Sequence, residues 1–322
     1  MSAEVETMFY AGEVPWHGFG VYVGDENLDS KTAIIKARLD WDVELRDIIF
    51  KDGRDQTLYN NIPDHKAVVR LTDEKVLGVV GNKFVPAQNI EAFEFMDSLV
   101  NTNQMKFHTA GSLRGGKNIW LLGKVGQTEV LPNDLVDHYL MLYNSHDGTG
   151  ALRCFFTAVR VVCANTAAMA LGEAKGQGVK LRHTSQIDNH LTAAQAVLGL
   201  GQQEFNQFGD FAQRLVRKDL TTEEWKEFAL TVFPDPPEGK RLFHAEGKRE
   251  VLTDLFENGT GQDIKGVSGT AWAAYNAIVE FSNYYKPTRG DDAQEKRFMS
   301  STLMTKTSLI SLATEELIKI AA

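Results

Sequence analysis

Between Gln104 and Leu171 the chain carries a glycine-centred reversal flanked by alternating apolar and polar residues, and this stretch constrains the fold more than any other. Met105, Phe107 and Leu113 alternate with Lys106, His108 and Ser112, the period-two pattern of a half-buried strand. Arg114-Gly115-Gly116-Lys117 then turns the chain, because two glycines accept the positive φ values of a tight hairpin without a Cβ penalty. Asn118 to Val125 forms the return arm. The turn thus carries Arg114 and Lys117, and the arms carry Lys106, Trp120 and Lys124.

Gly111 to Lys117 also fits the first seven positions of a phosphate-binding P-loop. Asn118 stands where that loop needs a Ser or Thr for magnesium, and Ile-Trp-Leu-Leu follows where a helix should open. The segment therefore reads as a hairpin turn, with no nucleotide, metal or other cofactor implied.

On either side the pattern remains that of an α+β protein. Residues 1–60 read as an N-terminal extension packed on the core, with a short helix at Thr32–Leu39, a strand at Asp42–Phe50 and a turn at Lys51–Asp55. Residues 61–185 read as the α+β core: a hairpin from Lys66 to Val80, a helix from Ile90 to Val100 capped by Asn89, the long hairpin, strands at His138–Tyr143 and Leu152–Val162, and a helix of small residues at Ala164–Leu171. This order implies an antiparallel sheet with helices packed on one face. Gly172–Gly178 reads as a hinge beside Lys175, Lys180 and Arg182. Residues 186–322 turn helical. Leu191, Leu198, Phe205 and Ala212, with Ala194, Gly201, Phe208 and Leu215, keep a seven-residue repeat, a seam that faces the chain's own later helices, the commoner arrangement, or another subunit. Thr221-Thr-Glu-Glu224 is a capping box for the next helix.

The formal net charge of −9 argues against a protein that simply coats duplex DNA. Residues 100–185, however, hold nine Lys/Arg against five Asp/Glu, so a basic stripe lies on an acidic body. Cys154 and Cys163 have no His or Cys at ligand spacing and read as reduced core residues. The acidic start, without a leader pattern or a long apolar run, makes the cytoplasm the expected location.

His146-Asp147 invites an acid/base or metal-dependent hydrolytic reading, with His108 and His138 nearby, but Asn-Ser-His-Asp-Gly is also an ordinary turn composition. The cationic reading is broader. Lys106, Arg114, Lys117, Lys124, Arg153 and Arg160, with Phe107, Trp120, Phe155 and Phe156 between them, suit a flexible single strand, phosphates meeting cations and bases stacking on rings.

Three stretches resemble the phage- and plasmid-borne family known only as a domain of unknown function: Phe84–Asn89 before Ala92-Phe93, Ala110–Leu113 before the glycine pair, and Asn144–Gly148 followed by Arg160–Thr166. Gly269–Asn276 looks like that family's C-terminal signature. More distantly, the helix at Asn89–Val100 followed by the hairpin at Gln104–Val125 is similar in order to the core of the single-strand annealing recombinases, the group of the lambda Red beta protein and the eukaryotic annealing mediator. That likeness implies an ATP-independent protein of a phage or plasmid, in the host bacterial cytoplasm, that binds single-stranded DNA and anneals strands in recombination. It also implies subunits assembled side by side in a ring or helix. Phosphate contacts are then expected at Arg114, Lys117, Lys124, Arg153 and Arg160, within a nucleic-acid-binding set that also holds Lys106, Trp120, Lys175, Lys180 and Arg182. A protein-binding accessory factor acting on the host is the other non-enzymatic alternative.

Overall fold

A computed structural model describes residues 5–11, 20–24, 26, 28–55, 58–150, 152–160, 165–168, 179–180, 190–237, 242–287 and 309–322. The fold is α+β, with antiparallel sheets followed by a helical C-terminal region. Eleven strands are described: β1 (Val5–Tyr10), β2 (Val21–Tyr22), β3 (Val43–Lys51), β4 (Tyr59–Arg70), β5 (Lys75–Gly81), β6 (Lys106–Leu113), β7 (Asn118–Leu131), β8 (Asp134–Ser145), β9 (Arg153–Arg160), β10 (Asn165–Ala168) and β11 (Val179–Lys180). The helices are α1 (Ser30–Lys36), α2 (Asn89–Asn101), α3 (His190–Val216), α4 (Thr222–Val232), α5 (Phe243–Asn258), α6 (Ala271–Glu280), which runs into a π-helical turn at Phe281–Tyr285, and α7 (Leu309–Ile320). No helix among the described residues is long and apolar enough to cross a membrane.

Hydrogen bonding orders one sheet β10-β9-β8-β7-β6-β1-β2, with β11 paired to β9, and a second sheet β3-β4-β5. The chain divides into two compact units, neither continuous in sequence: residues 1–124, 141–154 and 179–198, and residues 125–140, 155–178 and 199–322.

The first unit is built on the β6/β7 hairpin. Leu113 pairs with Asn118 across the four-residue turn, and Ile119 and Leu121 point from one face of β7 into the core. Phe93, Met96 and Val100 lie buried on one face of α2, as their spacing predicts. Asn89 does not cap that helix. Gln88 takes the N-cap place, and Asn89, the first helical residue, turns its amide inward to the Leu39 and Trp41 carbonyls at 3.0 and 3.3 Å. The N-terminal region also supplies β1, which runs antiparallel to β6 and buries Met8 and Phe9. Its few residues lie close to the glycine-rich segment, which hides the short alternating run.

In the second unit, Phe205, Phe208, Ala212 and Leu215 line the buried face of α3, with Phe208 against Trp272 and Tyr275 of α6, so the later half of the seven-residue repeat packs within the chain; the side chains of Leu191 and Ala194 lie outside the described residues. Thr221 and Glu224 form the expected capping box. The small-residue segment after Arg160 is not a helix in its described part. Asn165–Ala168 is β10, antiparallel to β9, because the edge of β9 offers hydrogen bonds and Asn165 and Thr166 are weak helix formers.

Candidate nucleic-acid interface

At the open end of the hairpin, Lys106 of β6 stands directly opposite Lys124 of β7, the first exposed and the second half-buried. Cross-strand partners share one face, so both ammonium groups belong to one side of the ribbon. At the other end the turn holds Arg114 in the left-handed region (φ 52°), then Gly115 (φ 65°) and Gly116 (φ 89°), then Lys117. Arg114 and Lys117 are half-buried. Eight positions of β6 and its turn separate the two ends, roughly 25 Å of extended chain.

The turn packs against two further cations. A β-carbon on Gly115 would fall on Lys75 Nζ, and one on Gly116 would lie 2.6 Å from Arg70 Nη1. Gly116 is therefore needed for space as well as for φ, whereas at Gly115 the flexible end of Lys75 can give way and φ is the requirement. Arg70 is buried and saturated: both terminal nitrogens bond the Glu6 carboxylate at 2.9 Å, and Asp73 accepts from Nε at 2.9 Å and Nη2 at 2.6 Å. Burial works to raise the Glu6 carboxyl, but hydrogen bonds and charge from Arg70, with Ser112 donating at 3.1 Å, hold it below the ordinary value. Arg70 hydrogen bonds likewise pull Asp73 down to about 2.

The Asn-Ser-His-Asp-Gly turn lies against the same tip. His146 donates its backbone N–H to the Lys117 carbonyl at 2.7 Å. Its ring is 1% exposed and lies 5.2 Å from Trp41, with Nε2 at 2.9 Å from Asn89 Oδ1. Since the Asn89 amide nitrogen already donates to two carbonyls, Oδ1 accepts and Nε2 carries the proton. Burial depresses the imidazole to about 4, so it is neutral at physiological pH. Asp147 turns its carboxylate onto Ser145 Oγ (2.5 Å) and Thr149 N (2.9 Å). A β-carbon on Gly78 of β5 would sit 2.5 Å from Asp147 Cα, so the turn is pressed onto that strand. His146 and Asp147 thus brace the hairpin tip, and no described residues bring three or more His, Cys, Asp or Glu together at metal-binding distance.

Some of the expected contacts need correction, and others lie outside the described residues. Arg160 is 2% exposed and forms a bidentate pair with Asp134 (2.6 and 2.8 Å), while the Gly261 carbonyl accepts at 3.0 Å and Trp272 Nε1 donates to the same Asp134 at 2.8 Å. It is a core ion pair and cannot reach a phosphate. Trp120, 7% exposed, lies over Gly111, its register partner, and is packed where no base can stack. Arg153 pairs in register with Lys180 and is half-buried. Seven positions from Arg160, alternation gives it to the opposite face of β9, so the two arginines never formed one surface. Of Lys180 only the backbone is described, and Lys175 and Arg182 lie outside the described residues. Lys75 was missed by sequence reasoning, since only the fold brings the β4/β5 turn to Gly115.

Fold and site together define an α+β protein whose central hairpin presents lysines at one end and a braced, glycine-dependent turn at the other. The chain belongs to the family described as Domain of unknown function (DUF932), whose model matches residues 76–303, more than two thirds of its length. No curated protein and no solved structure matches it.

Proposed function

We propose that this protein binds single-stranded nucleic acid along the β6/β7 hairpin, and that the binding serves ATP-independent strand annealing in the recombination of a phage or plasmid, in the host bacterial cytoplasm. The observation that carries the reading is the direct opposition of Lys106 and Lys124. Two ammonium groups at opposed positions raise the local positive potential, and a phosphate lowers it. Arg114 and Lys117 extend the same ribbon at its far end, a span that suits a flexible strand of several nucleotides. A net charge of −9 repels a polyanion from the rest of the surface.

The burial of His146 and the hydrogen bonds that Asp147 accepts within its own turn weigh against the histidine-based hydrolytic reading. The test is retention of a labelled single-stranded oligonucleotide over a salt series. Binding should be clear at low salt and fall steeply as salt rises, and Lys106→Ala with Lys124→Ala should reduce the slope by about 1 to 2. An oligonucleotide that is not retained at low salt, or a slope indifferent to both substitutions, overturns the proposal.

A further inference from the structure

Among the described residues, the β3-β4-β5 sheet leaves one side of β3 without a strand neighbour. Which residues turn their backbone groups to that side follows from the strand's ends. The Asp42 carbonyl accepts from Leu71 N–H and the Asp52 N–H donates to the Leu58 carbonyl, so even-numbered residues face β4. Val43 faces outward, its N–H donating to Gln88 Oε1 at 3.0 Å and its carbonyl accepting from Gln88 Nε2 at 2.9 Å. Alternation then turns Leu45, Asp47, Ile49 and Lys51 outward as well. The irregularity in this pair lies in β4, since Asp47 faces Lys66 while Ile49 faces Asn61, and β3 itself advances by its normal two residues. Gln88 occupies this edge at Val43, and beyond it no described strand continues the sheet.

The open part of the edge is also apolar. Ile49 is 54% exposed and Phe50 is 51% exposed, with Leu58 and Tyr59 exposed beside them on the hairpin arm. An extended edge with exposed large apolar side chains is a template for another strand.

We infer that a second copy of this chain pairs antiparallel along β3, about a two-fold axis at Ile49. A two-fold axis perpendicular to a sheet keeps each residue on its own face, so it must pass through a residue rather than between two. The choices are few. About Leu45 the pairing needs the Val43 groups that Gln88 already holds. About Arg46 or Asp47 a charge meets its own copy. About Ile48, Asp47 faces Ile49 and Arg46 faces Phe50. About Phe50, Ile49 faces Lys51. About Ile49, Asp47 of each copy faces Lys51 of the other, Ile48 faces Phe50, and Ile49 faces itself. Only that register sets opposite charges together and apolar side chains together, and it uses the outward backbone groups of Asp47, Ile49 and Lys51 as hydrogen-bonded pairs. The two sheets then join into one of six strands. This surface lies on β3 and stands apart from the nucleic-acid reading of the β6/β7 hairpin.

The experiment is mass by light scattering on the full chain at micromolar concentration, without nucleic acid. The expected mass is twice that of one chain. Asp47→Lys and Lys51→Asp should each weaken self-association roughly tenfold, because each sets two like charges opposite one another. An equimolar mixture of the two variants should recover the dimer, since every facing pair is then of opposite charge, and circular dichroism on each variant shows that the fold is retained. A monomeric wild-type chain, a dimer indifferent to both reversals, or a mixture that stays as dissociated as its components overturns the inference.

Discussion

The His146 backbone N–H and the Lys117 carbonyl, 2.7 Å apart, join two turns that lie almost thirty residues apart in the chain. Through this bond the hairpin tip is held by a turn whose ring is itself held by Asn89, and the rigidity of the cation-bearing end depends on a neutral, buried histidine.

That dependence gives a pH profile. Burial lowers the His146 pKa from 6.5 to about 4, so between these values the unfolded chain binds a proton that the folded chain refuses. Stability from this group is present above the unfolded value and is lost as pH falls from about 6.5 toward 4, by up to about 3 kcal/mol. His146→Gln keeps a donor toward Asn89 and should flatten the profile in that window. Urea unfolding at several pH values measures it.

The buried Arg160–Asp134 pair should behave as a structural element. Asp134→Ala leaves a guanidinium uncompensated in the core and should cost about 3 to 5 kcal/mol. Denaturant titration reads the loss. An oligonucleotide affinity that falls while the fold stays intact would contradict the assignment of Arg160 to the core.

The two turn glycines should differ. Gly116→Ala forces a β-carbon toward Arg70, which Glu6 and Asp73 hold in place, and should destabilise by about 2 kcal/mol or more. Gly115→Ala meets only the flexible end of Lys75 and should be limited to the cost of positive φ, about 1 kcal/mol. Thermal melts of the two variants give the order.

Trp120→Ala should destabilise by about 3 kcal/mol or more, because it opens a cavity over Gly111. At low salt, where the variant is still folded, its oligonucleotide affinity should match the parent's. A selective loss of binding would return the ring to the interface.

Much of the architecture was legible from local patterns. Glycine pairs with alternating flanks mark the β6/β7 hairpin, the Thr221-to-Glu224 spacing marks the start of α4, and the spacing of Phe93, Met96 and Val100 marks the buried face of α2. Parity along β9 even separates Arg153 from Arg160, since residues seven apart on a strand point opposite ways.

By itself the sequence determined which segments turn, alternate or cap, because those choices depend on side chains a few residues apart. Only the tertiary structure decided which of the cations are neutralised, because the partners are distant along the chain: Asp134 for Arg160 and Glu6 for Arg70. It also made Asn165–Ala168 a strand, since an available sheet edge outweighs a weak local preference. Charge composition counts ammonium and guanidinium groups; burial and pairing decide how many of them a phosphate can meet.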